Sequence, residues 1–197
     1  MTSTAKIYGL ILAGGKSMRM GTDKGRIAYH GIPQREHLYR LLEGVCDKTF
    51  MSIRKEQVAE ISSTFNTIVD EDIFKGPFNG ILSAHKKYPN VAWLVLACDL
   101  PLIDEKSLRD LIAARKRNAY ATAYSLRENS LPEPLAAIWE PKGLKAAISY
   151  MEAGTNGSCP RKFLINNDTH LVYPTDQQVL MNANSELEYW EALTKLT

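Results

Sequence analysis

A short apolar segment that runs directly into a glycine pair and then into cations constrains this chain more than any other feature. Residues 7–24 read I-Y-G-L-I-L-A-G-G-K-S-M-R-M-G-T-D-K. The first part is typical of a strand buried on both faces of a parallel sheet. Gly14 and Gly15 lack a Cβ, so their N–H groups can approach a ligand closely. Arg19 and Lys24 follow, and because amide dipoles and fixed cations together bind anions, this segment predicts a phosphate-binding loop.

Two well-known phosphate-binding motifs do not match this loop. The P-loop pattern G-x-x-x-x-G-K-[ST] ends on Gly15, Lys16 and Ser17, but its first glycine would fall on Leu10. The dinucleotide fingerprint G-x-G-x-x-G requires a glycine spacing that is absent here. The loop is therefore predicted to hold phosphate in a way that differs from both motifs, and a plain tight turn is the alternative.

Strand-like and helix-like patterns alternate along the rest of the chain. Strand-like segments cover 49–53, 67–69, 91–97, 120–124, 134–139 and 170–174. Apolar residues at helical spacing lie between or after them, around 37–45, 58–65, 82–88, 108–118, 143–151, 159–165 and 187–193, whereas 75–81 is predicted to be a loop. Since parallel strands need such crossovers, the pattern predicts a Rossmann-like three-layer α/β/α sandwich with a mostly parallel central sheet.

Carboxylates follow two of the predicted strands directly. Asp70 ends the third strand, and Asp99 comes after the strongly apolar V-A-W-L-V-L-A. Ligands of open α/β sheets bind at the carboxyl ends of strands, where a carboxylate can share a hard cation with phosphate oxygens. We therefore predict that Asp99 binds a divalent metal, and that Asp104 caps the following helix instead.

Length and charge exclude several classes of protein. A chain of 197 residues fits one domain, residues 1–197. A formal charge of +2 does not indicate a nucleic-acid partner, and no run approaches the roughly 18 apolar residues of a membrane span. Three isolated cysteines in no metal-binding spacing are typical of a reducing compartment. A cytoplasmic location without membrane contact is the expectation.

The loop also resembles a known family motif. Residues 12–24, L-A-G-G-K-S-M-R-M-G-T-D-K, are similar to the L-A-G-G-x-S-x-R-M-G-x-D-K motif of the molybdenum cofactor guanylyltransferases, within the nucleotidyltransferase superfamily. The segments C-D-L-P at 98–101 and G-P-F-N-G-I at 76–81 resemble two further motifs of that family. At the C-terminal end, N-A-N-S-E at 182–186 resembles its closing N-x-N-T-P, and Ser185 or Asn184 is also a candidate helix cap.

The resemblance implies a reaction and a set of site residues. The family's fold is that of the nucleotide-diphospho-sugar transferases, and its enzymes use Mg²⁺ to transfer GMP from GTP to the terminal phosphate of molybdopterin cofactor. By this resemblance Arg19, Lys24 and Asp99 are catalytic, Asp99 holds the metal, and Asn182 and Asn184 contact the acceptor or the metal. The implied nucleotide contacts are Leu12, Ala13, Gly14, Gly15, Ser17, Lys24, Ser52, Asp70 and Asp99. GTP, molybdopterin cofactor and proteins that deliver the cofactor are the expected partners.

Two departures from the family pattern leave alternatives open. Ser52 stands near a position where many relatives carry asparagine, and Glu133 stands where glutamine is frequent. The chain could instead use CTP or another phosphorylated acceptor. It could also be a regulatory module that binds nucleotide without turnover, although the joint presence of Arg19, Lys24 and Asp99 favours an enzyme.

Overall fold

Strands and helices alternate through most of the chain, as the sequence pattern predicts. The computed structural model describes residues 6–15, 24–154 and 158–196. Within them the strands are β1 (Ile7–Leu12), β2 (Lys48–Ile53), β3 (Thr67–Val69), β4 (Ala92–Ala97), β5 (Ala121–Ser125), β6 (Pro132–Trp139) and β7 (Thr169–Val172). The α-helices are α1 (Gln34–Glu43), α2 (Pro77–Lys87), α3 (Glu105–Ala113), α4 (Pro141–Glu152), α5 (Pro160–Ile165) and α6 (Glu186–Leu196). Short 3-10 helices cover Lys24–Arg26, Lys55–Glu60 and Gln177–Leu180.

The described strands form one sheet of mostly parallel strands. Their order is β3-β2-β1-β4-β6-β5-β7, and β6 alone among the described strands runs antiparallel to both of its neighbours. The pairings β1 with β2, β1 with β4, β2 with β3 and β5 with β7 are parallel. The carboxyl ends of β1 to β4 therefore meet at one edge, and the predicted fold class is confirmed.

Two hydrophobic clusters cover the two faces of the sheet. Successive residues of a strand point to opposite faces, and Leu10 and Ile11, both fully buried, accordingly enter different clusters. Ile11 packs in the cluster that includes Leu38 of α1 and Leu108 of α3. Leu10 packs in the cluster that includes residues of α2, α4 and α5. The sheet is thus the middle layer of a three-layer sandwich.

Three local predictions differ from the structure. The helix predicted to extend to residue 118 is α3, which ends at Ala113 with Ala114 as its C-cap. Helix α2 begins at Pro77 rather than after the segment 75–81, because Gly76 takes a φ of 61° at the N-cap and proline is favourable at the first helical position. The segment around Val58 forms a 3-10 helix that ends at Glu60, and the chain leaves helical geometry at Ile61. In all three places the apolar spacing alone misplaced the helix ends.

Side-chain hydrogen bonds cap the amino-terminal ends of α3 and α6. Asp104 accepts a hydrogen bond from the Ser107 N–H at 2.7 Å, so its predicted role as the cap of α3 is confirmed. Before α6, Ser185 Oγ accepts from the Glu188 N–H at 3.3 Å while the Glu188 carboxylate accepts from the Ser185 N–H at 2.8 Å. No helix in the described residues is both long and apolar enough to cross a membrane.

Candidate active site

A cavity of about 560 Å³ opens at the carboxyl edge of β1 to β4. This is where the topology of a parallel sheet brings the ends of neighbouring strands together. Most of the predicted site residues line it, and they come from segments far apart in the sequence. They are Leu12, Ala13, Gly14, Gly15, Lys24, Ser52, Asp70, Asp99 and Asn184.

The glycine loop leaves β1 against the end of β2. The Ala13 N–H donates to the Ser52 carbonyl at 2.9 Å, which continues the sheet ladder by one residue. Gly14 lies so close to the end of β3 that an added Cβ would be 2.7 Å from Asp70 Oδ2. An added Cβ on Gly15 would meet no described atom within 4 Å. Gly14 is thus closely packed against the Asp70 side chain, whereas a side chain at residue 15 would enter open space.

Replacing Gly14 with alanine is expected to lower stability by about 1–3 kcal/mol, the usual cost of forcing an extra carbon into a packed site. The Asp70 carboxylate that would have to move is held by Ser52. Gly15→Ala is the matched control, because its Cβ enters open space, and its unfolding free energy should stay within about 0.5 kcal/mol of wild type. Urea denaturation of the two variants measures the difference. Equal stabilities would show that the contact at Gly14 relaxes without cost.

Ser52 and Asp70 form a hydrogen-bonded pair on one wall of the cavity. Ser52 Oγ donates to Asp70 Oδ1 at 2.6 Å, and Ser52 is almost completely buried. Burial raises the pKa of Asp70 to about 6, with Asp72 raising it further, whereas the Ser52 hydrogen bond and the charge of Arg54 oppose the shift. The carboxyl group therefore changes its protonation state just below neutral pH.

The raised pKa makes a prediction about stability and pH. Because the folded protein holds the Asp70 proton more tightly than the unfolded chain does, this group stabilises the fold at acid pH, and the contribution is lost as the pH rises through about 6. Asp70→Asn removes the titration. We expect its unfolding free energy relative to wild type to increase between pH 4.5 and pH 7.5, as measured by urea denaturation. A difference that is independent of pH would contradict the raised pKa.

Lys24 lies between the carboxylate that follows β4 and the segment that precedes α6. Its Nζ donates to Asn184 Oδ1 at 2.5 Å and lies 3.8 Å from Asp99 Oδ2. The two charged side chains are 13% and 23% exposed respectively, so the pair is only partly screened by water. Burial raises the pKa of Asp99, and the positive charge of Lys24 opposes that shift. The Ala183 N–H also donates to the Asp99 carbonyl at 2.9 Å, which fastens the C-terminal segment to this wall.

Three predicted residues are placed differently or not described. Asn182 donates from Nδ2 to the Leu180 carbonyl at 3.2 Å and does not belong to the residues that line the cavity. Ser17 and Arg19 lie outside the described residues. Their roles, like that of Asn182, stay predictions.

Several cavity residues were missed by the sequence reasoning. Those with charged, amide or aromatic side chains are Arg54, Asp72, Phe74 and Asn79. Arg54 follows β2 as directly as Asp70 follows β3, and this is the signal that could have identified it. Asn79 was hidden in a segment predicted to be a loop. In the structure it accepts from the Phe74 N–H and donates to Asp72 Oδ1, both at 3.3 Å, and so shapes the cavity rim.

The antiparallel strand β6 brings its amino-terminal end to the same edge. Leu135 lines the cavity, and the nearby Glu133 carboxylate accepts from Arg161 Nη2 at 2.6 Å. Burial raises the pKa of Glu133, Arg161 opposes the shift, and the charge of Asp99 adds to it. The ion pair between Arg161 and Glu133 therefore lies near Asp99, and the Arg161 side chain is 46% exposed.

Comparison with known proteins shows the family of the chain. The sequence profile of the MobA-like NTP transferase domain matches residues 9–170. A molybdenum cofactor biosynthesis bifunctional protein from Synechocystis sp. is 36% identical over 188 residues, which cover 95% of this chain and 54% of that protein. The chain therefore spans about half the length of this relative. A molybdenum cofactor guanylyltransferase from Pseudomonas fluorescens is 32% identical over 180 residues, covering 89% of this chain and 88% of that enzyme.

Solved structures share the fold at low sequence identity. The molybdopterin-guanine dinucleotide biosynthesis protein A from Archaeoglobus fulgidus superposes with a TM-score of 0.78 at 19% identity, covering 96% of this chain and 98% of that one. The 4-diphosphocytidyl-2C-methyl-D-erythritol synthase from Anaerococcus prevotii gives 0.67 at 13% identity, with coverages of 98% and 96%. The family match covers most of the chain, and the chain belongs to the MobA-like nucleotidyltransferase family, as the resemblance of its glycine loop predicted.

Proposed function

We propose that the protein transfers GMP from GTP to the terminal phosphate of molybdopterin cofactor, forming molybdopterin guanine dinucleotide and releasing pyrophosphate. The observation that carries the proposal is the convergence of the glycine loop, Lys24 and Asp99 on one cavity. The names of the Pseudomonas and Synechocystis relatives support this choice of reaction. The Synechocystis relative is named a bifunctional protein, and this chain covers 54% of it. The proposal concerns one activity only.

In the proposed reaction an oxygen of the acceptor phosphate forms a bond to the α-phosphorus of GTP. The bond from that phosphorus to the oxygen that bridges to the β-phosphate breaks, and pyrophosphate leaves with the electron pair. The protein contributes position and charge rather than a covalent intermediate. The Lys24 ammonium and the loop amides stabilise the negative charge that accumulates during transfer, and Arg19 is proposed to join them.

The oxygen donors near Lys24 fit a magnesium ion. Asp99 offers a carboxylate and Asn184 an amide oxygen, which are hard ligands of the kind that Mg²⁺ prefers. Within the described residues no group of three or more His, Cys, Asp or Glu side chains converges. Mg²⁺ bound to nucleotides commonly takes one or two carboxylates plus phosphate oxygens, so this sparse set fits. When bound, the ion would supply Lewis-acid stabilisation of phosphate oxygens.

The wall opposite Lys24 is proposed to select the nucleoside. Ser52 holds Asp70 Oδ1 and leaves Oδ2 at the Gly14 side of the cavity. An ionised carboxylate accepts hydrogen bonds only, so Asp70 can bind the N1–H and N2–H₂ edge of guanine or the ribose hydroxyls. We assign acceptor contacts to the opposite side, where Asn184 and the region of Asn182 lie.

Pyrophosphate release with each nucleotide in turn tests the proposal. The protein is incubated with molybdopterin cofactor, Mg²⁺ and GTP, CTP, ATP or UTP, and reactions without acceptor serve as blanks. Release with GTP alone, together with a guanine dinucleotide product detected by mass spectrometry, is expected. Release with CTP alone would replace the proposal with a cytidylyltransferase. Tight GTP binding without release would indicate a regulatory nucleotide-binding module.

A further inference from the structure

In the described part of the glycine loop, the carbonyl groups of Ala13, Gly14 and Gly15 accept hydrogen bonds from side chains that follow β2. Gln57 Nε2 donates to the Ala13 carbonyl at 3.1 Å. Arg54 Nη1 donates to the Gly14 carbonyl at 2.7 Å and to the Gly15 carbonyl at 3.0 Å. We call Arg54 and Gln57 the carbonyl clamp. Three successive peptide oxygens are thereby turned toward one side of the loop.

The clamp is itself firmly built. Gln57 is 2% exposed, and its Oε1 accepts from the Arg54 N–H at 2.9 Å, which leaves Nε2 directed at the loop. The Gln57 N–H in turn donates to the Arg54 carbonyl at 3.0 Å, at the start of the 3-10 helix Lys55–Glu60. The Arg54 side chain is only 25% exposed. Both side chains are thus oriented by the fold before any ligand is present.

Turning the carbonyl groups fixes the amide groups as well. In a planar trans peptide the C=O of one residue and the N–H of the next point in opposite directions. The bonds to the Ala13 and Gly14 carbonyls therefore turn the Gly14 and Gly15 N–H groups away from the clamp. Neither N–H donates to a backbone carbonyl in the described part of the chain. Carbonyl oxygens facing a triphosphate would repel it. The clamp holds these oxygens away from the phosphate and leaves the Gly14 and Gly15 N–H groups to face it.

We propose that Arg54 and Gln57 are positioning residues that set the Gly14 and Gly15 amides for phosphate before the nucleotide binds. The inference rests on the proposed function for the identity of the ligand, but the clamp itself is a property of the free protein. Arranging donors in advance lowers the ordering cost of binding. It also directs the donors at charge that develops during transfer.

The free protein provides the first test. We label the protein with ¹⁵N-glycine and record amide spectra without nucleotide for wild type, Arg54→Ala and Arg54→Lys. The Gly14 and Gly15 resonances should shift or broaden in both variants, because lysine cannot reproduce the two-carbonyl contact of a guanidinium group. Arg109→Ala is the matched control, since Arg109 also donates to a glycine carbonyl, that of Gly44, at 3.0 Å but on an exposed surface away from the cavity. Unmoved Gly14 and Gly15 resonances in the Arg54 variants would overturn the proposal.

GTP affinity provides the second test. Isothermal titration with Mg²⁺ and GTP should show a Kd raised about 10–100-fold in Arg54→Ala, and added guanidinium ion at millimolar concentration should restore part of the loss. Arg54→Ala and Gln57→Ala should combine with less than additive effect, because both act through one loop. A loss of affinity with unmoved amide resonances would make Arg54 a direct phosphate ligand instead. Shifted resonances with an unchanged Kd would also overturn the proposal that Arg54 is a positioning residue. If the wild-type protein binds no nucleotide, the proposed function is refuted, and the amide spectra alone test the clamp.

Discussion

Replacing Lys24 with alanine is expected to lower kcat by about 10²–10³-fold, the usual loss when one preorganised charge-stabilising donor is removed. Lys24 Nζ stands between Asn184 and Asp99, at the point where the glycine loop and β4 meet. Losing it also removes the charge that opposes the burial-driven rise in the pKa of Asp99. The acid limb of the pH–rate profile should therefore move to higher pH. Initial rates of pyrophosphate release between pH 5.5 and 8.5 measure both effects.

Lys106→Ala is the matched control for the lysine change. Lys106 pairs with Asp110 on the surface of α3 and its side chain is 71% exposed. Exposed pairs of this kind contribute little to stability, so the control should keep wild-type kcat and pH dependence. A Lys24→Ala protein that retained wild-type kcat would remove Lys24 from the catalytic assignment.

Replacing Asp99 with alanine or asparagine should also lower kcat by about 10²–10³-fold, because either change removes the carboxylate proposed to hold the metal and the phosphates together. The fold should not suffer in Asp99→Asn. Burial already raises the pKa of this carboxyl group, which means that the folded state disfavours its charged form. The melting temperature at pH 7.5 is therefore expected to equal or exceed that of wild type while turnover collapses.

Asp110→Asn tests whether any surface aspartate would have the same effect. Asp110 is 49% exposed and contacts Lys106, and its loss should leave both turnover and the magnesium dependence of turnover unchanged. The diagnostic result is a magnesium titration. If Asp99→Asn needed no more magnesium than wild type for half-maximal rate, Asp99 would not be a metal ligand.

The sequence was most informative where apolar strands end in charged residues. Asp70 and Asp99 each follow such a run, and parallel strands bring their carboxyl ends to one edge, so the presence of both residues at one edge of the sheet followed from the fold class. Arg54 also follows its strand, β2, directly, yet it is not among the site residues that the sequence predicts. What distinguishes Arg54 is that its side chain donates hydrogen bonds to the Gly14 and Gly15 carbonyl groups. That contact spans 40 residues of sequence and has no local pattern.

The directions of strands and the ends of helices were harder to predict than the presence of the strands and helices. The antiparallel course of β6 follows from the short connection 126–131, since a parallel neighbour would need a crossover of a dozen residues or more. The start of α2 at Pro77 depended on whether a G-P pair ends a loop or begins a helix. The positive φ of Gly76 decided it, and such a backbone angle is set by the surrounding packing.

The bond from the Ala183 N–H to the Asp99 carbonyl also bears on the order in which the site forms during synthesis. The ribosome makes β1 and its glycine loop first, but Lys24 acquires its Asn184 partner only after residue 184 has been made. A nascent chain that ends earlier lacks this wall of the cavity. Nucleotide bound through the complete site can therefore favour only chains translated past this point. All seven described strands end before residue 184, so the sheet can form before Asn184 joins the site.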